Sequence, residues 1–564
     1  MYKNYKKNYP YYEVSPIRDF KQMLEESIRD CEGRPAFRYK SGKDIVDVSY
    51  EQFYADTKAL GTAITALDLG KSHIAMIGPN SYKWLMTYLT VLNSEGVYVP
   101  IDKELPFDEI MHIVNDSDTE LFFYAGFYAE NVKNNRDKMP NVKYFVNLDG
   151  KEDDGEFLAF DKLLAHGKEL LDGGDTAYTS MSPEPAAMKM IVYTSGTTGR
   201  AKGVMLSLDN LVNCVVHGLE VSTVYDVCLS VLPYHHTYES VCGILVSLKK
   251  AATICINESL RTVAANLKVF RPTYIMLVPL FVESFYKKIW ATVEDQGKAD
   301  TLRKMIKISN KLLKVGIDMR RVFFKSIHEV FGGRLIKMVS GGAPLRQELG
   351  EFFDAIGVTL VNGYGITECS PLVAANRDFY YNFASVGNPL PCLDMKIFEP
   401  NADGEGEICV KGPTVMLGYY KQPELTAEVL EADGWFHTGD FGKIGEDGRL
   451  YITGRKKNMI VLRNGKNIYP EEIEEYLGSI PEVTEVIVSA LRSEDGEETG
   501  LAAEIFPGDD LVKSKTDDEL YTLLKTAVEK VNDGLPSYKH VTKVVVRKTP
   551  FDKTTSGKIR RKYN

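Results

Sequence analysis

The chain has 564 residues, of which 44% are hydrophobic and 26% charged. This length predicts three or four structural units, and the composition is typical of globular proteins. Lys and Arg number 68 against 78 Asp and Glu, a net charge of -10, so no overall basic field recruits nucleic acid and we expect no such partner. The eight cysteines form no CxxC pair, which predicts reduced core thiols rather than a disulfide framework or a zinc site.

The sequence also predicts a protein without a membrane span or a secretion signal. Residues 274–282 form the longest uninterrupted apolar run, about half the length that a spanning helix needs. The basic residues near the N-terminus are followed by Tyr9 and Pro10 rather than by the apolar core of a signal peptide. We therefore expect a cytoplasmic protein.

Apolar strand patterns alternate with helix patterns from Ile74 to Val114, as in βαβ units. Further strand candidates, separated by segments of helix length, lie at 227–232, 253–256, 274–278, 335–339 and 358–361. This alternation predicts an α/β fold with a large mixed or parallel sheet. Residues 151–187, which are rich in Gly, Asp, Ser and Pro, predict a surface connection between two of these elements.

A basic helical insert follows at 287–325, with eleven Lys or Arg against four Asp or Glu. This excess of positive charge fits a solvated helical face, and it also fits a peripheral contact with an anionic membrane surface.

After about residue 400 the chain changes to short strands with turns such as Asp403-Gly404 and Asp447-Gly448, which predict a β-rich subdomain. From 458 to the end, the order helix, strand, strand, helix, strand predicts a small α+β unit.

The strongest chemical signal is the segment 191–203, in which a strand leads into a loop of glycines and hydroxyl residues that ends in a lysine. Glycines let backbone N–H groups turn toward anionic oxygens, hydroxyls add donors, and the lysine supplies charge, so this loop is suited to phosphates. It lacks the Gly-Lys-Ser/Thr ending of the Walker pattern. The predicted phosphate-binding residues are Thr194, Ser195, Gly196, Thr197, Thr198 and Lys202.

This loop resembles the phosphate-loop signature of the adenylate-forming superfamily, which includes acyl-CoA synthetases, peptide-synthetase adenylation domains and luciferases. The chain departs from the usual pattern at Ala201, where the family has proline, a change that removes neither charge nor donor. Further segments resemble the family in the expected order from about residue 190 to the end. The resemblance implies a large N-terminal domain over 1–454 and a small mobile C-terminal domain over 455–564.

The segment 362–368 resembles the family's adenine and metal segment. The resemblance implies that the ring of Tyr364 stacks on adenine, that Thr367 reaches phosphate and that Glu368 holds Mg²⁺, for which a hard carboxylate is suited. A dinucleotide fold is disfavoured because the glycines are followed by Glu368. The other residues that the resemblance places at the nucleotide are Gly342, Ala343, Asn362 and Gly363.

Three C-terminal segments complete the resemblance. It implies that Asp440 accepts hydrogen bonds from the ribose hydroxyls, that Arg455 lies near the ribose and that Lys457 is the hinge between the domains. It also implies that Lys558 is the catalytic lysine that contacts the α-phosphate and the acyl carboxylate.

The segment 232–239 resembles the acyl-proximal segment of fatty acyl ligases, with His236 at the position of the family's usual histidine. His236 would gate an acyl tunnel or touch the carboxylate, and a structural role is an equal alternative. Amino-acid-activating relatives need a carboxylate near this point, because an unpaired ammonium is costly to bury. We expect His236 in its place, although Glu239 leaves that alternative open. Together with the basic insert, this segment most resembles the long-chain subgroup.

The resemblance implies an enzyme that activates a medium- or long-chain fatty acid with ATP and Mg²⁺, releases pyrophosphate and transfers the acyl group to coenzyme A. The catalytic residues would be Thr194, His236, Glu368 and Lys558. Two alternatives remain. One is a ligase that stops at the acyl-adenylate or loads a carrier protein's phosphopantetheine, and the other is a non-catalytic acyl-nucleotide binding protein at a membrane surface.

Overall fold

The computed structural model describes residues 8–194, 201–462, 467–492, 498–553, 559 and 561. The chain divides into two compact units, residues 1–394 with 410–436, and residues 395–409 with 437–564. The predicted division at 454/455 remains a prediction, and the compact units differ from it by placing 395–409 and 437–454 with the C-terminal residues.

Within the described ranges, the α-helices are α1 (Phe20–Asp30), α2 (Tyr50–Ala66), α3 (Tyr82–Leu92), α4 (Phe107–Asp116), α5 (Ala129–Asn134), α6 (Phe160–Asp172), α7 (Leu208–Val221), α8 (Val246–Lys249), α9 (Val263–Phe270), α10 (Pro279–Asp295), α11 (Ala299–Lys314), α12 (Arg320–Phe323), α13 (Lys325–Val330), α14 (Gln347–Ala355), α15 (Pro423–Val429), α16 (Pro470–Gly478), α17 (Asp509–Ser514) and α18 (Asp517–Asn532). Short 3₁₀ turns lie at Gly126–Tyr128, Arg136–Lys138, Leu260–Thr262, Thr367–Cys369, Lys456–Asn458 and Ser537–Lys539, and a π-helical segment spans Tyr238–Leu245.

The strands of the same ranges are β1 (Pro35–Ser41), β2 (Asp44–Ser49), β3 (His73–Ile77), β4 (Val97–Ile101), β5 (Thr119–Tyr124), β6 (Tyr144–Asn147), β7 (Phe157–Ala159), β8 (Met188–Thr194), β9 (Lys202–Ser207), β10 (Val227–Ser230), β11 (Thr253–Ile256), β12 (Tyr274–Leu277), β13 (Lys337–Ser340), β14 (Thr359–Gly365), β15 (Leu372–Ala375), β16 (Asn388–Pro389), β17 (Asp394–Phe398), β18 (Gly406–Lys411), β19 (Gly418–Tyr419), β20 (Phe436–Ile444), β21 (Leu450–Arg455), β22 (Ile460–Val461), β23 (Asn467–Ile468), β24 (Glu485–Arg492), β25 (Glu498–Phe506) and β26 (Val541–Val546).

The first unit contains two large sheets. One has the strand order β16-β15-β14-β13-β12-β10-β11-β1-β2, and the other has the order β19-β9-β8-β4-β3-β5-β6-β7. Strands β10, β12, β13 and β14 run parallel, so their carboxyl ends share one edge, where ligands bind in open α/β sheets. In the second sheet β3 and β4 are parallel, as the alternating pattern predicts, and β5 and β6 extend the parallel set, while β8 and β9 form an antiparallel pair.

The second unit carries the predicted small sheets. The short strands of the β-rich part pair in the order β17-β18-β20-β21, and β24-β25-β26 form a further sheet against α16 and α18. Its core is made by apolar side chains of these elements, among them Ile473, Leu477, Val488, Leu501, Ile505 and Leu524. The predicted C-terminal helix, strand, strand, helix and strand are present in that order, and the structure adds the short helix α17 between β25 and α18.

The predicted surface connection at 151–187 is wrong over its middle part. Residues 157–159 form β7 and residues 160–172 form the helix α6, which packs along α2. Gly167 of α6 is buried, and a Cβ there would lie 1.9 Å from the carbonyl oxygen of Ala59. The Gly- and Pro-rich flanks are loops, but the apolar face of Phe160 and Leu163 is buried and decides the conformation of the segment between them.

The cysteines are free thiols, all of them buried except the partly exposed Cys392, as the sequence predicts. Among the described residues, no helix is long and apolar enough to cross a membrane.

A buried ion pair joins β13 to the segment that follows β15. The Nζ atom of Lys337 lies 2.5 Å from Oδ1 of Asp378, and both side chains are at most 2% exposed. The carboxylate of Asp378 also accepts hydrogen bonds from the Ser222 hydroxyl at 2.8 Å, the Thr223 amide at 3.0 Å and the Tyr12 hydroxyl at 3.0 Å. This carboxylate therefore binds three separate parts of the first unit.

Replacing Asp378 by Ala should lower the free energy of unfolding of the first unit by about 3–5 kcal/mol, because it leaves the Lys337 ammonium buried without its countercharge. All three tryptophans (Trp84, Trp290, Trp435) lie in this unit, so tryptophan fluorescence during urea unfolding measures the effect. Asp154→Ala, which removes the exposed partner of Lys133, is the control and should leave the transition unchanged. Equal midpoints for the two variants would contradict the prediction.

Candidate active site

The antiparallel pair β8 and β9 brings the two ends of the predicted phosphate loop together. Thr194 is the last residue of β8, Lys202 is the first residue of β9, and the two are register partners. Both side chains are half-buried. The remaining predicted members of the loop, Ser195, Gly196, Thr197 and Thr198, lie outside the described residues.

A single tyrosine connects Lys202 to Glu368. The Nζ atom of Lys202 lies 4.5 Å from the centre of the Tyr419 ring, and the Tyr419 hydroxyl donates to Oε1 of Glu368 at 2.9 Å. Burial, with the charge of Glu368 as the second cause, raises the pKa of Tyr419, so its proton stays in place. The two most distinctive predicted side chains thus contact the same tyrosine, the phosphate lysine over its ring and the metal glutamate at its hydroxyl.

Sequence reasoning missed Tyr419. It lies on the two-residue strand β19, which joins the sheet beside β9 through the pairs Gly418 with Met205 and Tyr419 with Val204. The amide of Met416 also donates to the carbonyl of Glu368 at 2.8 Å. No local motif marks such a short strand, so only the pairing in the folded sheet reveals this residue.

The residues around Glu368 fit a magnesium ion that arrives with a nucleotide. Glu368 is half-buried on a 3₁₀ turn, with Thr367 beside it. Among the residues that the structure describes, no group of three or more His, Cys, Asp or Glu is placed to hold a metal ion. Mg²⁺ is commonly held by one or two carboxylates together with substrate phosphates and water, and a single glutamate meets that requirement.

The predicted nucleotide segments follow adjacent parallel strands. Ser340 at the end of β13 pairs with Asn362 on β14, so Gly342 and Ala343 emerge next to Gly363 and Tyr364. Gly342 has φ of 83°, a left-handed conformation that favours glycine. Ala343 is exposed, whereas Gly363 and Tyr364 are half-buried.

The Asn362 side chain is engaged within the protein. Its amide donates to the Ser385 carbonyl at 2.8 Å, and its Oδ1 accepts from the Asn376 amide at 2.6 Å. The side chain is 6% exposed. These bonds hold the loop after β15 against β14, and the predicted role of Asn362 in nucleotide binding stays a prediction.

The two histidines of the segment after β10, His235 and His236, have different surroundings. The His235 side chain is 11% exposed, and its Nε2 lies 3.5 Å from Oδ2 of Asp102. Burial, assisted by His236 and Lys103, holds the pKa of His235 well below its usual value. His236 is half-buried, 4.1 Å from the His235 ring centre. Its carbonyl accepts from the amide of Glu239 at 3.0 Å, at the start of the π-helical segment. π-Helical turns often occur at functional sites.

Glu239 is fully buried. Its Oε1 accepts a hydrogen bond from the Ser230 hydroxyl, and burial raises its pKa to about 8. Because the carboxyl is protonated below that pKa, Glu239 is uncharged in most molecules at neutral pH.

In the second unit, β20 and β21 bring two predicted ribose residues together. Asp440 and Arg455 are register partners, and the Arg455 Nε lies 3.1 Å from Oδ1 of Asp440. Asp440 is only 4% exposed, which distinguishes it from an ordinary acid on a surface turn. Lys457 is exposed on the 3₁₀ turn directly after β21. Lys558 lies outside the described residues.

Comparison with known proteins identifies the family. Residues 24–420 match the model of the AMP-binding enzyme family, and residues 457–563 match the model of the AMP-binding enzyme C-terminal domain. The chain therefore belongs to the AMP-binding enzymes, and the resemblance to the adenylate-forming superfamily is confirmed.

Particular relatives agree with this assignment. Long-chain-fatty-acid–CoA ligase 5 of Rattus norvegicus is 29% identical over 518 residues, which cover 86% of this chain and 75% of the relative. Long-chain-fatty-acid–CoA ligase 1 of Homo sapiens is 30% identical over 489 residues, 78% of this chain and 67% of the relative. The solved adenylation domain of a carboxylate reductase from Mycobacterium chelonae, 21% identical, superposes with a TM-score of 0.79 over 97% of this chain and 89% of that chain, and it has the same fold.

Proposed function

We propose that this AMP-binding enzyme is an acid–thiol ligase that activates a medium- or long-chain fatty acid with ATP and transfers it to coenzyme A. The observation that carries the proposal is the arrangement of Lys202, Tyr419 and Glu368 at the base of the phosphate loop. A cation over the ring of Tyr419 and a metal-binding carboxylate at its hydroxyl supply the charges that a triphosphate needs.

In the first step, a carboxylate oxygen of the fatty acid attacks the α-phosphorus of ATP. The new P–O bond forms as the bond to the β-phosphate oxygen breaks, which gives an acyl-adenylate and pyrophosphate. Such transfers depend on positioning and on positive charge around the phosphates. Lys202 and Lys558 serve as cations, and Thr194 donates a hydroxyl at the loop. Mg²⁺ at Glu368 would neutralise charge on the triphosphate when bound.

In the second step, the thiol of coenzyme A attacks the acyl carbon of the adenylate. A thioester forms, AMP leaves, and the thiol proton passes to solvent. The two half-reactions need different groups in the site, and a turn of the C-terminal domain about Lys457 would exchange them. Asp440 and Arg455 would hold the ribose during both steps.

Burial of Glu239 supports a fatty acid rather than an amino acid as the substrate. An α-ammonium needs a charged carboxylate as its partner. Glu239 is fully buried, accepts a hydrogen bond from Ser230 and is uncharged in most molecules at neutral pH. The names of the curated relatives point to the same substrate class. We assign His236 to the acyl end of the site, where it gates the tunnel or touches the carboxylate.

The experiment that tests the substrate is ATP–pyrophosphate exchange with a series of fatty acids from acetate to oleate. We expect exchange to rise with chain length and to be strong for medium or long acids. Addition of coenzyme A should convert the same acids to thioesters. Exchange without thioester formation would favour the ligase that loads a carrier protein, and absence of exchange with every acid would favour a non-catalytic binding protein.

The basic insert supports a peripheral membrane contact as a second part of the proposal. Val315 and Ile317, in the turn that follows α11, are 72% and 50% exposed, and Val322 on α12 is 64% exposed. Lys304, Lys307, Lys311 and Lys314 are on α11, the helix that precedes this turn. Exposed apolar side chains among lysines match the surface of an anionic bilayer, from which long-chain fatty acids can be taken.

This contact predicts sedimentation of the protein with phosphatidylcholine vesicles that contain phosphatidylglycerol, and release at high salt. Ile317→Asp should abolish binding to these vesicles. Ile45→Asp, at a position equally exposed in β2 (51%), is the matched control and should bind like the unaltered protein. If Ile317→Asp binds like the control, the insert is a solvated helical face.

A further inference from the structure

Glu407 is a buried carboxylate that the sequence motifs do not mark. It lies on β18 and is 5% exposed. Its Oε2 accepts from the Lys456 ammonium at 2.8 Å and lies 3.3 Å from Nδ1 of His437, while its Oε1 accepts from the Gly439 amide at 3.2 Å. Three donors thus converge on one side chain within the second unit.

The donors come from two segments that carry predicted nucleotide residues. His437 and Gly439 belong to β20 immediately before Asp440, and Lys456 follows Arg455 at the end of β21. A carboxylate on one strand therefore binds both segments whose register pairing brings Asp440 and Arg455 together.

Two hydrogen bonds of the Thr438 hydroxyl strengthen the same connection. The Thr438 hydroxyl donates to the Ile408 carbonyl at 2.8 Å, and the Asp440 amide donates to the Thr438 hydroxyl at 3.1 Å. The segment that contains Asp440 is thus also hydrogen-bonded to β18 at Ile408, the residue after Glu407.

The charge on Glu407 is stabilised by its donors. Burial opposes ionisation, but the hydrogen bonds and charges of Lys456 and His437 hold its pKa below the usual value. The side chain is therefore ionised at neutral pH, and its bonds to Lys456 and Gly439 are charge-assisted, the stronger class of hydrogen bond.

We propose that Glu407 is a positioning residue of the nucleotide site, which sets the distance and orientation of Asp440 and Arg455 toward a ribose. The proposal rests on the proposed function, because it takes the ribose role of Asp440 from it. Glu407 acts through its neighbours and need not touch the nucleotide.

The test compares three variants in steady-state kinetics and in equilibrium binding of a non-hydrolysable ATP analogue. Glu407→Gln keeps the shape of the side chain but removes the charge that holds Lys456, and it should raise both the KM for ATP and the Kd of the analogue about tenfold. The KM for the fatty acid should not change. Glu405→Gln is the matched control, because Glu405 is close in sequence, its side chain is more exposed than that of Glu407 (20% against 6%), and its described ion pair is with Lys443 rather than with Lys456.

The variant Asp440→Asn separates the ribose role of Asp440 from the positioning role of Glu407. If Asp440→Asn weakens nucleotide binding and Glu407→Gln does not, the positioning role is wrong and the ribose role stands. If Asp440→Asn leaves nucleotide binding unchanged, the ribose role is wrong and the positioning role fails with it. A lower thermal transition of Glu407→Gln with an unchanged Kd would show a purely structural role and would overturn the inference.

Discussion

Replacing Lys558 by Ala should reduce carboxylate-dependent adenylate formation by about 10³-fold, because in the proposed mechanism the variant loses a cation at the reacting phosphate. Transfer of a supplied acyl-adenylate to coenzyme A should continue at a rate close to that of the unaltered enzyme, since the proposed second step does not use the lysine. The measurement is a pair of assays, ATP–pyrophosphate exchange for the first step and thioester release from synthetic acyl-adenylate for the second.

Lys548→Ala is the matched control for Lys558→Ala. Lys548 is also a lysine of the C-terminal unit, but it is exposed and paired with Asp517 at 2.9 Å. Its replacement should leave both assays unchanged. An equal loss of the two half-reactions in Lys558→Ala would contradict the role assigned to this lysine.

Glu368→Gln should lower the rate of adenylation by about 10²–10³-fold and raise the Mg²⁺ concentration needed for half-maximal activity, because a neutral amide is a weaker ligand for a hard cation. Tyr419→Phe keeps the ring beside Lys202 but removes the hydroxyl that binds Glu368. Its loss of activity should be smaller, about tenfold or less, since one hydrogen bond to a charged group is lost.

The Mg²⁺ dependence separates these variants from general damage. Glu424→Gln, an exposed acid on α15, should have normal activity and a normal Mg²⁺ requirement. An unchanged Mg²⁺ requirement in Glu368→Gln would contradict the assignment of this residue as the metal ligand.

Much of the fold follows from local patterns. The C-terminal elements from α16 to β26 and the strands β10 to β14 lie where apolar periodicity predicts them. The same method failed at α6, because Gly, Asp and Pro on either side of a short amphipathic helix resemble a continuous loop. Its burial against α2 is a tertiary effect that composition does not reveal.

The candidate site likewise contains residues that sequence motifs predict and one residue that only the folded structure reveals. Motif order located Lys202, Glu368, Asp440 and Arg455, and the structure brings these residues together in two pairs through Tyr419 and through the β20–β21 register. Tyr419 itself depends on a short strand that returns to β9 from far along the chain. Long-range pairings of this kind are set by the folded sheet, so a motif search does not find them.

The most direct test of an AMP-forming acid–thiol ligase is the product balance of a complete reaction. The purified protein is incubated with ATP, Mg²⁺, coenzyme A and oleate or another acid active in exchange, and thioester, AMP and pyrophosphate are quantified by mass spectrometry and chromatography. We predict that the three products form in equal amounts and only when the acid is present. Formation of ADP and phosphate in place of AMP and pyrophosphate, or no thioester with any acid, would contradict the proposed function.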